Sequence, residues 1–105
     1  MKLIWFATAW LIAGPALAQD ANALRARSLA ANCAQCHGTD GRAPPGSAMA
    51  TLAGMPAAYI TEQMTAFKAD TRPGTVMPQI AKGYSEAQIA QLAAYFAQPL
   101  TAGKP

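Results

Sequence analysis

At 105 residues with a formal net charge of +3, the chain is limited to one small domain. Its eight Lys and Arg form no basic run and do not interleave with aromatic residues, which excludes a nucleic-acid-binding arm. It has no acidic or basic tail, no low-complexity tract and no internal repeat.

Residues 1–18 read as an export signal. Lys2 supplies a positive start, Leu3 to Ile12 form an apolar stretch, and Gly14-Pro15 break it. Ala16-Leu17-Ala18 then has the small-x-small form that signal peptidase accepts, so cleavage is expected before Gln19. The competing reading is a retained anchor, but a spanning helix needs about 20 apolar residues. This run is shorter and carries a helix breaker. Cleavage leaves residues 19–105 as one exported domain and removes both Trp5 and Trp10. The remaining apolar content is mostly alanine. A chain near this size buries only about 60% of its unfolded surface, so something other than its own side chains is expected to fill the centre.

A first helix is predicted over 21–33, with Leu24, Ser28 and Ala31 at helical spacing and Asp20 or Asn22 as its cap. The run Cys33-Ala34-Gln35-Cys36-His37 follows, then the turn sequence Gly38-Thr39-Asp40-Gly41. Pro44-Pro45, Gly46 and Gly54 make residues 42–55 a loop. Pro56 suits the first turn of a second helix reaching about Ala69, with Ile60, Met64 and Phe67 on its buried face. Asp70 to Gly74 end that helix, and a second loop carries Met77-Pro78. Ser85, with Gln88 three residues on, has the spacing of a capping box. It opens a last helix with an apolar stripe at Ile89, Leu92, Ala93 and Phe96, stopped by Pro99. No strand is predicted, so the fold class is all-α.

Cys33 and Cys36 are the two cysteines of the chain. In an exported protein they could form a disulfide, a thioredoxin-like redox pair or half of a zinc site. Zinc lacks two further Cys or His ligands, since His37 is the one histidine. A thioredoxin-like pair lacks its strand–helix–strand setting, and neither that pair nor a disulfide requires a histidine directly after the second cysteine. Haem attachment requires all three: two thiols at this spacing add to the two vinyl groups, and the adjacent imidazole coordinates iron.

The second axial position determines the chemistry, because an open one admits oxygen or peroxide and a filled one restricts the protein to electron transfer. With no second histidine, the candidates are Met49, Met55, Met64 and Met77. Met64 lies on the middle helix's apolar stripe and reads as core filler. Met77 precedes Pro78, which disfavours helical geometry and suits a loop side chain reaching inward. Met77 is therefore the expected ligand, and its soft sulfur favours ferrous iron and raises the potential.

Cys33 to Gly38, Met77-Pro78 and the segment from Tyr84 to Phe96 resemble a class I c-type cytochrome across nearly all of residues 19–105. The resemblance implies three or more helices around one covalent haem c. It also implies first and last helices that cross, with Ala26 and Ala30 against Tyr95-Phe96, and a proline carbonyl, of Pro44 or Pro45, orienting His37. Further stretches are similar to cytochrome subunits of flavocytochrome c sulfide dehydrogenases: Tyr59 to Gln63, Phe67-Lys68, Arg72 to Met77 and Ile80 to Tyr84. Such subunits often hold two haem domains, whereas this sequence has one motif. The implied partner is an FAD-containing sulfide dehydrogenase flavoprotein in the periplasm. The alternatives are a free shuttle serving an oxidase or reductase, and a haem sensor or peroxidase-like protein, which a filled Met77 position disfavours. His37, if iron-bound, cannot serve as an acid or base, and Asp40, Glu62, Asp70 and Glu86 are scattered, so no catalytic residue is expected. Lys68, Arg72 and Lys82 could add electrostatic steering toward an acidic partner.

Overall fold

A computed structural model describes residues 15–99, with side chains from residue 21 onward. The expected signal therefore lies outside the described residues, apart from its last few backbone positions. Every regular element among the described residues is helical: α1 Pro15–Ala31, α2 Ala34–His37, a 3-10 turn Thr39–Gly41, α3 Ala57–Lys68, α4 Met77–Lys82 and α5 Glu86–Phe96.

α1 starts earlier than predicted. Pro15 fits a first helical turn, where its missing N–H costs nothing, and the alanine- and leucine-containing stretch that follows has no breaker. Asp20 and Asn22 are thus interior positions rather than caps. The helix closes at Ala31, and Cys33 N–H bonds the Ala30 carbonyl at 3.0 Å to turn the chain into α2.

α3 has the expected stripe, with Ile60 and Met64 buried and Phe67 half-buried. Asp70 then adopts a left-handed conformation (φ 58°), which turns the chain out of the helix. α5 begins with the predicted capping box. The Ser85 hydroxyl accepts from Gln88 N–H at 3.2 Å, and the Gln88 side chain accepts from Ser85 N–H at 2.9 Å.

α4 is the element that sequence reasoning missed. Met77 opens a helix instead of lying in a loop, and Pro78 stands in its first turn. An N–H in that turn has no intrahelical partner anyway, so proline is tolerated there.

α3 packs against α4 and α5, and α5 also packs against α1. The shared core is Ala30, Ile60, Met64, Ala81, Ile89, Leu92, Ala93 and Phe96. Half of those with aliphatic chains are alanine, which lets the helices approach closely but supplies little apolar bulk. As expected, Ala30 is buried with Phe96 and with half-buried Tyr95, while Ala26 is half-buried. Backbone bonds tie back the loop over 42–55: Leu52 and Ala53 N–H bond the Gly41 carbonyl at 2.8 and 3.1 Å, and Gly54 N–H bonds the Phe96 carbonyl at 2.7 Å.

Candidate functional site

The site follows directly from the way α2 is built. Four residues make a single turn, with His37 N–H bonded to the Cys33 carbonyl at 2.9 Å. Cys33, Cys36 and His37 thereby all reach one cavity. Gly38 makes the exit possible, since its φ is +84° and a Cβ there would lie 2.0 Å from the Arg42 carbonyl oxygen.

That cavity has a volume of about 570 Å3, within the range of a small-molecule or cofactor site. Its walls are mostly apolar, with Leu52, Ile60, Met64, Phe67, Leu92 and Phe96 among them. It opens between α2, the loop over 42–55, α3 and the start of α4. Met77 lines it from the α4 side, so all four residues predicted to hold the haem share one cavity.

His37 is buried, and its Nδ1 stands 2.7 Å from the Ala50 carbonyl oxygen. A carbonyl can only accept, so Nδ1 carries the proton and Nε2 keeps its lone pair for a metal. The expectation of a Pro44 or Pro45 carbonyl is therefore wrong. The loop folds so that Ala50, further along, reaches the imidazole, while Pro44 caps a local turn by accepting from Ser47 N–H at 3.0 Å. A backbone acceptor has no side-chain signature, so nothing in the sequence singled out Ala50.

Cys33 is half-buried and Cys36 exposed, and no disulfide joins them. Burial, and secondarily the neighbouring Cys36, pushes the Cys33 thiol above its ordinary range.

Met49, Met55 and Met64 line the same cavity as Met77, so lining alone does not rank them. Their mountings differ. Met49 and Met55 lie in the loop and are exposed, and Met64 is a buried member of the α3 core. Met77 is half-buried at the first position of α4, fixed by the packing of that helix on α3.

The basic residues considered for steering have structural tasks. Lys68 donates to the Tyr84 carbonyl, and Lys82 pairs with Asp70 at 2.7 Å. Arg72 lies 4.6 Å over the Phe67 ring, donates to Gln63 and lines the cavity.

The donors suit a covalently held haem: two thiols and a proton-directed imidazole on one wall, a thioether on another, and an apolar volume between them. Relatives agree. Residues 14–96 match the family described as "Cytochrome C oxidase, cbb3-type, subunit III", and the chain belongs to this family of c-type cytochromes, which implies covalently bound haem c. It is 37% identical over 87% of its length to the cytochrome subunit of sulfide dehydrogenase of Chlorobaculum tepidum, covering 80% of that protein. It is also 38% identical over 72% of its length to the thiosulfate dehydrogenase electron acceptor of Thiomonas intermedia, and 43% identical over 60% to cytochrome c-552 of Acidithiobacillus ferridurans. The chain spans only about a third and a quarter of those two proteins, 35% and 26% respectively. Among the described residues, no helix is long and apolar enough to cross a membrane.

Proposed function

We propose that this chain is an exported single-electron carrier holding one haem c, attached through Cys33 and Cys36 and ligated by His37 and Met77. The observation that carries the reading is the convergence of these four side chains on one apolar cavity, with His37 Nδ1 committed to Ala50. When bound, the group supplies a one-electron ferric–ferrous couple. The side chains set its use. His37 presents Nε2 as a nitrogen donor held in orientation by the Ala50 carbonyl. Met77 would hold the group from the α4 side with a soft donor and would so keep out oxygen and peroxide. Leu52, Ile60, Leu92 and Phe96 exclude water from the interior.

The cavity is not sealed on every side. Met49, Met55, Tyr59, Val76 and Ile80 line it and remain exposed. Such an apolar rim allows close approach by a partner. The named relatives support a dehydrogenase partner of sulfur chemistry, and our reading is the electron-accepting cytochrome subunit of a flavoprotein sulfide dehydrogenase in the periplasm. Oxidation of sulfide to sulfur releases two electrons, which a flavin can take together and pass on singly. A free shuttle is the second reading, favoured by the similarity to an electron acceptor of thiosulfate dehydrogenase.

Capture of the tagged, exported chain from periplasm tests the assignment. Co-purification of an FAD-containing protein that reduces the haem on addition of sulfide is expected. Recovery of a haem protein alone, reduced by no captured flavoprotein, would leave the shuttle.

A further inference from the structure

Tyr95 stands between the cavity wall and the surface. Its ring meets that of Phe96 edge-on, with centroids 5.2 Å apart and planes at 88°. Phe96 is buried and lines the cavity. Tyr95 is half-buried, and its hydroxyl donates to the Asp40 carboxylate at 2.6 Å. The same turn holds both rings, because Gly41 packs beneath Phe96. Asp40 also borders a second, more polar groove of about 530 Å3 on the outer side of α2, with Gln35, Thr39 and Ser47. The carboxylate is exposed there, so a proton that it receives has a direct path to water. Tyr59 and Tyr84 have no carboxylate partner among the described residues.

A phenol resists losing an electron alone, because the cation left behind is strongly acidic and costly to form in water-poor surroundings. Losing the proton in the same event removes that cost, and this requires a base already bonded to the hydroxyl. A carboxylate oxygen at 2.6 Å, in the range of charge-assisted O–H···O bonds, is such a base. We propose that Tyr95 is a redox-active tyrosine with Asp40 as its proton acceptor, a one-electron donor to strong one-electron oxidants such as oxygen-derived radicals. In the step the O–H bond of Tyr95 breaks and a neutral tyrosyl radical remains. The electron reduces the oxidant by one equivalent, and the proton forms an O–H bond on Asp40. The pair lies apart from Cys33, Cys36, His37 and Met77, and its chemistry needs none of them. Through Phe96 it gives oxidising equivalents at the cavity wall an outlet at the surface.

The test uses the oxidised, haem-loaded chain and a photogenerated ruthenium(III) complex as the one-electron oxidant. The tyrosyl radical is read by electron paramagnetic resonance after freeze-quenching, in wild type, Tyr95→Phe, Tyr59→Phe and Asp40→Asn. Wild type and Tyr59→Phe should give the same radical signal, and Tyr95→Phe should lose most of it. Asp40→Asn separates proton transfer from structure. Its amide oxygen still accepts the Tyr95 bond and asparagine tolerates the positive φ of 53° at this position, but the amide is a far weaker base. The radical should therefore form about tenfold more slowly, or slower still, in Asp40→Asn, while the denaturation midpoint stays near that of wild type. A wild-type chain without a tyrosyl signal, an undiminished signal in Tyr95→Phe, or a wild-type rate in Asp40→Asn would each overturn the proposal. If Tyr95→Phe does not accumulate, the rate in Asp40→Asn decides alone. Haem attachment is read separately from the mass of the chain, so failure of the haem reading and failure of this one appear in different signals.

Discussion

Of the four methionines lining the cavity, two have proposed roles, ligand for Met77 and core filler for Met64, that substitution can separate. Met77→Ala should leave the haem attached, because Cys33, Cys36 and His37 do not depend on it. The variant should lose the weak far-red absorption of methionine–ferric iron ligation, bind cyanide or carbon monoxide readily and fall in potential. Met64→Leu conserves volume in the α3 core and should cost under about 1.5 kcal/mol with the spectrum unchanged. The reverse pattern, an open iron in Met64→Leu and a closed one in Met77→Ala, would refute the assignment. At this scale the proposed attachment triplet stood out by spacing, since the chemistry demands those residue types side by side, and the structure brings all three to one cavity. The partner of His37 was not. A carbonyl acceptor is chosen by the path of the loop over 42–55, and any residue in that loop could have supplied it. Arg72 was legible as a basic residue but not as part of the cavity, because its link to Gln63 and Phe67 depends on the turn at Asp70.

Between elements, the turn after the haem motif is joined to the closing helix. Tyr95 donates to the Asp40 carboxylate at 2.6 Å, and Gly41 packs beneath Phe96. Gly41 has φ +75°, and a Cβ there would stand 2.7 Å from the Phe96 ring and 3.0 Å from Ala53 N. Gly41→Ala combines backbone strain with a steric clash, each of about 1–3 kcal/mol, so the chemical denaturation midpoint should drop clearly. An unchanged midpoint would contradict this packing. The hydrogen bond to Asp40, with smaller contributions from burial and the carboxylate's charge, holds the Tyr95 hydroxyl above its ordinary range. Because the folded state keeps that proton more tightly, the stabilisation is complete below about pH 10 and is lost as pH rises through the folded value. Tyr95→Phe should therefore destabilise the protein at pH 7 and make less difference in strongly alkaline solution. A stability gap independent of pH would argue against the bond. α3 and α5 were legible as elements because their apolar stripes and the Ser85 capping box are local signals. α4 was not, since Pro78 disfavours helical geometry at Met77 and the pair reads as loop, whereas proline is equally at home in a helix's first turn.

For the molecule as a whole, the alanine-rich core leaves a large apolar volume at its centre. The buried set holds Phe96, Leu92, Ile60, Ile89 and Met64 as its large members, few for a domain of this size. The haem group is therefore expected to contribute to folding as well as to redox chemistry, as binding to the native state alone would. Replacing both Cys33 and Cys36 by Ala should reduce accumulation of folded protein, measured by protease resistance of the exported chain; full resistance without haem would show that the core suffices. The all-helical class followed from periodicity and turn residues. Room for a central group was expected from composition, and its proposed position from the single Cys-x-x-Cys-His run, whose three side chains line the cavity. The proposed function depends most on the covalent link. The intact mass of the exported chain, taken after denaturation and acid–acetone extraction, measures it directly. One haem should be retained per chain, with neither cysteine open to alkylation. A chain stripped of haem, with Cys33 and Cys36 both alkylated, would contradict it.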